Sequence, residues 1–354
     1  MGTNPEGGHV KDRKLMIGAV VTLAALVALA VAATGSARTG ATKASVTVAL
    51  VSDIGKFNDR SFNQFQLEGL NRAKAKLGIT ALPLQSNSVS DYLPNLTSAI
   101  RKHANVVISA GFLLANATAT VAKKFPNTHF AITDYPVEIP PFATKKGKVL
   151  FKNVEGLTYN ANEGGCLAGV LAALQAKKDG AKAIGAVGGL KIPPVDIWIA
   201  GYKFCARKAV PGTKVLVGYS QDFVAADKCK TVAENLISQG ADVLFQVAGG
   251  CGLGTLKAAD EAGKWGIGVD KDQYKDAKRV LTSAFKRVDA GVFAIAQQEK
   301  TGAFAGGKDT NFNLSNGGIG LGRINPAVPK SSIAMANKFK AQIIAGKLKV
   351  PTAL

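Results

Sequence analysis

The chain has 354 residues, more than one hydrophobic core ordinarily serves, so about two domains are expected. Hydrophobic residues are 47% and charged residues 19%, with 39 glycines, a balance that excludes extensive disorder and suits an α/β protein with many tight strand-to-helix turns. The net charge is +20, but the lysines are scattered in pairs such as Lys123-Lys124, Lys145-Lys146 and Lys177-Lys178; without a basic stripe interleaved with aromatics, nucleic acid is not an expected partner.

The first element, 1–40, reads as a signal peptide or a membrane anchor. Lys11, Arg13 and Lys14 precede an uncharged stretch, 15–33, close to the length that spans a bilayer, and small residues follow it. Cleavage and retention both fit, and either places the rest outside the cytoplasm. No cysteine lies in or just after the stretch, which excludes a lipid-modified cysteine there.

From Ser45 onward, apolar strands at 46–51, 79–84, 106–109 and 129–133 alternate with helical patterns, the first carrying Phe62, Phe65, Leu70, Ala73 and Leu77. After 136–148, rich in proline and lysine, the stretch 149–159 carries the chain across to a second series. Its strands are expected at 183–187, 214–218, 242–247, 266–269 and 280–284. The alternation predicts an α/β fold of two doubly wound, parallel-sheet lobes, 44–155 and 156–284, with a cleft between them.

Four cysteines, Cys166, Cys205, Cys229 and Cys251, lie downstream of the leader, where disulfides form. Cys205 and Cys229 fall on helices flanking one expected strand and are the pair this placement would bridge; each cysteine is also explained as a small buried hydrophobe. With no C-x-x-C pair and only His9, His103 and His129, neither a metal site nor a cofactor is expected.

The chemistry-bearing residues gather at strand ends, where open α/β sheets bind ligands. Asp53, Asn58, Asp59, Ser61 and Asn63 crowd one loop after the first strand; a helix start needs one cap, so capping does not explain the whole set. Phe112 follows the third strand and Asp134 the fourth. The second series offers Trp198, the glycine turn at Gly249 and Gly250, Asp270 and Lys286. Carboxylates accept from vicinal hydroxyls and aromatics stack on flat rings, so a sugar joined to a planar base would use both. The turn that begins at Gly249 misses the G-x-G-x-x-G spacing and suits backbone approach to a ligand or simply a tight turn. There is no G-x-S-x-G, no phosphate loop and no H-E-x-x-H, so the chain does not read as an enzyme.

Several ordered segments resemble the basic membrane protein family of substrate-binding proteins, which serve ABC transporters and include purine nucleoside receptors. They are V-A-L-V-S-D-I-G-K-F-N-D-R-S-F-N-Q from Val48, V-E-G-L-T-Y-N-A-N-E-G-G-C-L-A-G from Val154, I-P-P-V from Ile192, G-G-C-G-L-G from Gly249, G-V-D-K-D-Q from Gly268, L-T-S-A-F-K-R-V-D from Leu281 and N-G-G-I-G-L from Asn316. The resemblance implies a type I periplasmic-binding-protein fold with three crossovers, lobe 1 being completed by part of 285–325 and lobe 2 by part of 315–354. It implies a monomeric receptor at the outer face of the cell membrane that binds a purine nucleoside and delivers it to an ABC permease. By the same resemblance Asp53, Asn58 and Asp134 contact the base, Phe62 with Phe112 or Trp198 sandwiches it, and Asp270 and Lys286 hold the ribose. A membrane-tethered nucleoside sensor and a nucleoside-processing enzyme are the other readings.

Overall fold

A computed structural model describes residues 45–354 together with Met1 and Gly2. The stretch 15–33, read as signal or anchor, lies outside the described residues, so that reading has no structural counterpart. Among the described residues no helix is long and apolar enough to cross a membrane. Residues 44–354 form one compact unit.

The first sheet is built from β1 (Thr47–Val51), β2 (Thr80–Leu84), β3 (Val106–Ser109), β4 (His129–Thr133) and β5 (Val154–Tyr159). Helices α1 (Phe62–Leu77), α2 (Tyr92–Arg101) and α3 (Ala115–Lys124) lie between its first four strands. Strands β1, β3 and β4 are covered on both faces, which is why they read as unbroken apolar runs rather than alternating ones. Leu50, Ile108 and Ile132 are fully buried, each worth about 1.5–3 kcal/mol. Strand β2 sits at the sheet edge and is only half-buried.

After Tyr159 the chain crosses to the second lobe. There α4 (Ala161–Lys178), β6 (Ala183–Gly188), α5 (Pro193–Ala209), β7 (Lys214–Tyr219), α6 (Ala226–Ser238), β8 (Ala241–Val247), α7 (Gly252–Glu261), β9 (Trp265–Asp270) and β10 (Val280–Lys286) repeat the pattern. It returns through α8 (Val288–Thr301), which packs on α1, and β11 (Asp309–Phe312), which pairs parallel to β5. A third passage leads to β12 (Ile319–Leu321), antiparallel to β10, and to α9 (Lys330–Ile344), packed on α4. Strand order is 2-1-3-4-5-11 in one sheet and 7-6-8-9-10-12 in the other, the same arrangement twice. Strand β5 stays in the first sheet to Tyr159, past residue 155, and β10 stays in the second to Lys286, past residue 284.

The cysteine expectation is corrected. Cys166 bonds to Cys205 (2.02 Å) and Cys229 to Cys251; among the described residues no cysteine is free. Helices α5 and α6 do flank β7, but they cover opposite faces of the sheet, so Cys205 and Cys229 sit in separate hydrophobic clusters. The partner of Cys205 is set by close packing of α4 on α5. A Cβ on Gly165, Gly169 or Gly201 would come within 2.2 Å of a backbone oxygen of the facing helix, and the two cysteine Cα atoms are 4.9 Å apart.

Candidate functional site

The strand orders reverse beside β1 in one sheet and beside β6 in the other, and loops leaving the strand ends there and at β4, β9 and β10 line a cavity between the lobes. The first-lobe wall is the loop from Asp53 to Asn63. Asp59 receives the backbone N–H groups of Ser61 (2.9 Å), Asn63 (2.8 Å) and Gln64 (3.0 Å), so it caps α1. Asp53 Oδ1 accepts from Gly55 N (2.8 Å) and from Asn63 Nδ2 (2.7 Å), and Asn63 Nδ2 also reaches Asp59 Oδ2 (3.1 Å). Asn63 thus couples two buried carboxylates. Burial pushes the Asp53 carboxyl up to about 7 against the opposing pull of the Gly55 and Asn63 hydrogen bonds, and burial raises Asp59 as well.

The second-lobe wall centres on Lys286, the last residue of β10. It is buried, with Nζ 2.7 Å from Asp134 Oδ2 and 3.5 Å from Asp270 Oδ1. Burial acts to lower the lysine, but the two carboxylates outweigh it and hold it above its ordinary value. Burial raises Asp270 to about 6, with Lys286 pulling it down and Asp134 pushing it up. Asp134 follows β4 and Asp270 ends β9, equivalent strands of the two sheets, and both adopt left-handed backbone (φ 61° and 62°). Left-handed conformations are uncommon outside glycine and favour Asp and Asn, so the matched pair marks where each lobe turns a carboxylate toward the cleft.

Aromatic faces surround the lysine: its Nζ lies 4.8 Å from the Phe62 ring centre, 5.4 Å from Tyr159 and 5.9 Å from Trp198. Phe62 packs on Gly111, whose φ of +121° suits only glycine and where a Cβ would lie 3.1 Å from the ring. Phe112 leans on Tyr135 with ring centres 5.0 Å apart. The lobes also touch directly. Ser61 Oγ donates to Asp270 Oδ2 (3.0 Å) and Gln273 Nε2 to the Arg60 carbonyl (3.2 Å), while Arg60 pairs with Asp276 and Lys271 with Glu68.

Of the residues expected from sequence, Asp53, Phe62, Asn63, Phe112, Asp134, Trp198, Gly249, Asp270 and Lys286 line this cavity together. Asn58 does not: it is exposed, and its neighbour Asp59 lines the wall instead. Lys56 and Arg60 both take left-handed backbone (φ 62° and 54°), so the loop reverses on either side of Asn58. Gly250 is also outside the lining, although a Cβ there would lie 3.5 Å from Asp59, so the glycine turn closes against the opposite lobe. Phe223 lines the cavity and was missed; an aromatic in the polar loop after β7 was the available signal. Among the described residues no cluster of three or more His, Cys, Asp or Glu could hold a metal ion.

Two similar α/β lobes, three chain passages and a cavity at matching strand ends define a two-lobed binding protein of the periplasmic type. A solute-binding protein of an ABC transporter system from Aeropyrum pernix K1 shares this fold, with a TM-score of 0.77 at 24% identity over 87% of this chain and 93% of that one. The chain belongs to the Bmp family, described as ABC transporter substrate-binding protein PnrA-like, whose model matches residues 46–353. It is 36% identical to the ABC transporter nucleoside-binding protein BmpA of Lactococcus lactis, with 90% of this chain and 92% of that protein covered. It is 33% identical to the CD4+ T-cell-stimulating antigen of Listeria monocytogenes, with 86% and 88% covered.

Proposed function

We propose that the protein is an extracytoplasmic, non-enzymatic receptor that closes its lobes around a purine nucleoside and presents it, as a monomer, to an ABC permease. The observation that carries this reading is the buried Asp134–Lys286–Asp270 cluster set among the rings of Phe62 and Trp198. Vicinal hydroxyls donate to Asp270 and accept from Lys286, while a planar base lies against Phe62, with Phe112 or Trp198 as the second face. Stacking of that kind contributes about 1–3 kcal/mol per base. Asp53, poised near neutrality, either donates to or accepts from the edge of the base. Four carboxylates, Asp53, Asp59, Asp134 and Asp270, line the cavity beside one lysine, so a neutral nucleoside fits its charge where a phosphorylated one does not. Family membership and the name of the Lactococcus relative support the same reading.

Calorimetry against a panel of nucleosides and free bases is the test, and heat from none of them would remove the ligand assignment while leaving the fold intact. Asp270→Ala is expected to weaken ribosides by roughly a hundredfold, the scale of a lost charge-assisted hydrogen bond, and free bases much less. Equal losses for both would contradict a ribose role.

A further inference from the structure

We propose that the end of lobe 1 remote from the cleft binds the anionic headgroups of a phospholipid bilayer. All six strands of the first sheet are parallel, so the helices that return between them end at one edge, opposite the cleft. Exposed cations sit in every one of those last turns: Lys74 and Lys76 on α1, Arg101 on α2, Lys123 and Lys124 on α3, Lys300 on α8. Lys300 bonds to the carbonyl of Leu77, so the ends of α1 and α8 touch. The single carboxylate in these turns, Glu299, is held by His129 at 2.7 Å.

Helix C-termini favour cations everywhere, so the second lobe is the control. At its corresponding edge α5 ends in exposed Arg207 and Lys208, but Lys177 and Lys178 are followed by Asp179, α6 ends without a cation, α7 ends in Asp260 and Glu261, Lys264 pairs with Asp242 (2.8 Å), and Lys230 with Glu261 (2.8 Å). The same backbone physics gives a mixed surface there and an uncompensated basic one on lobe 1. The chain also emerges at this edge. Ser45, at the head of β1, bonds to the Gly78 carbonyl (3.3 Å) and Thr80 Oγ1 (3.1 Å). Only residues 34–44 separate it from the uncharged stretch 15–33, a reach of about 40 Å fully extended. A retained stretch would let this edge reach an anionic leaflet, and with or without it the cations are attracted once they come within a Debye length of the headgroups. The cleft is at the other end of the lobe, so a protein held this way keeps it turned toward solvent. The proposal is independent of which ligand the cleft takes.

The test is co-sedimentation of residues 44–354, which contain both sheets and their cores, with vesicles of phosphatidylcholine alone or mixed with phosphatidylglycerol. Binding is expected only to the mixed vesicles, with release by salt. Lys123→Glu with Lys124→Glu is expected to lower partitioning roughly tenfold or more. Lys177→Glu with Lys214→Glu on lobe 2 is expected to change it less than about twofold, because Asp179, Asp260 and Glu261 make that edge mixed in charge. Thermal melts check that each variant folds, and if the first does not, Lys74→Gln with Lys76→Gln reads the same effect more weakly. No binding to mixed vesicles, equal binding to both kinds, insensitivity to salt, or equal losses from the two lobes would overturn the proposal.

Discussion

The two walls of the cleft are held by different means. The Asp53 to Asn63 loop satisfies itself: Asn63 bridges Asp53 and Asp59, and Asp59 caps the helix that follows. The opposite wall is satisfied across the gap, since Lys286 makes its shortest bond to Asp134 of the other lobe and Asp270 accepts from Ser61. The first wall is therefore preorganised by folding, whereas the second is completed by closure. On the reading proposed above, ligand recognition and lobe closure share one cation, which is how differential affinity for a closed state arises.

Lys286→Met is the sharpest way to break that comparison. It leaves Asp134 and Asp270 facing each other without a cation, and removing one partner of a buried pair typically costs about 3–5 kcal/mol. Nucleoside affinity is expected to fall more than roughly a hundredfold on that scale, and solution scattering is expected to show a more open ligand-free chain. An unchanged scattering profile would mean that the second wall does not depend on closure.

Asp53→Asn tests the first wall through pH. The folded carboxyl titrates at about 7, raised from 3.8, so the protonated form's stabilising contribution is complete below about pH 4 and is lost as pH rises through about 7. The Asn variant is expected to match the parent near pH 4 and to be more stable near pH 8, by on the order of 2–4 kcal/mol in urea titrations. Stability that falls equally with pH in both proteins would place the titration elsewhere.

The smallest effect expected is that of Asp59→Ala. Loss of the α1 cap is expected to cost about 1–2 kcal/mol of unfolding free energy. Asp59 reaches the second wall only through Ser61 and the Gly250 turn, so the closure measured by scattering is expected to change much less than in Lys286→Met. A change in closure without a loss of stability would reverse the roles assigned to the two walls.

Much of this was legible in the chain because buried parallel strands are continuous apolar runs: β3 and β4 fall where the pattern puts them, and β1 begins one residue later. Strands β11 and β12 escaped local reading, the first because it is a polar edge strand and the second because it is only three residues long, and only the family resemblance called for a return to both lobes. Lys286 was expected to follow a strand and instead ends one, because β10 continues to pair with β12 that far. The exchange of Asn58 for Asp59 shows the limit within the loop. Both residues suit a turn, and only the two left-handed residues around them decide which faces inward. Cysteine pairing was illegible for a related reason: it depends on the sheet face each helix covers and on three glycines that let α4 and α5 approach.

The three passages between lobes also govern the order in which the molecule can be made. Lobe 1 lacks β11 and the α8 surface that Gly69 packs against until the chain has been synthesised through Phe312. Lobe 2 waits for β12 and α9, near the end of the chain. No early half of the polypeptide can finish a domain, so both lobes receive their last strands late in translation, and that order of completion is written into the chain's connectivity.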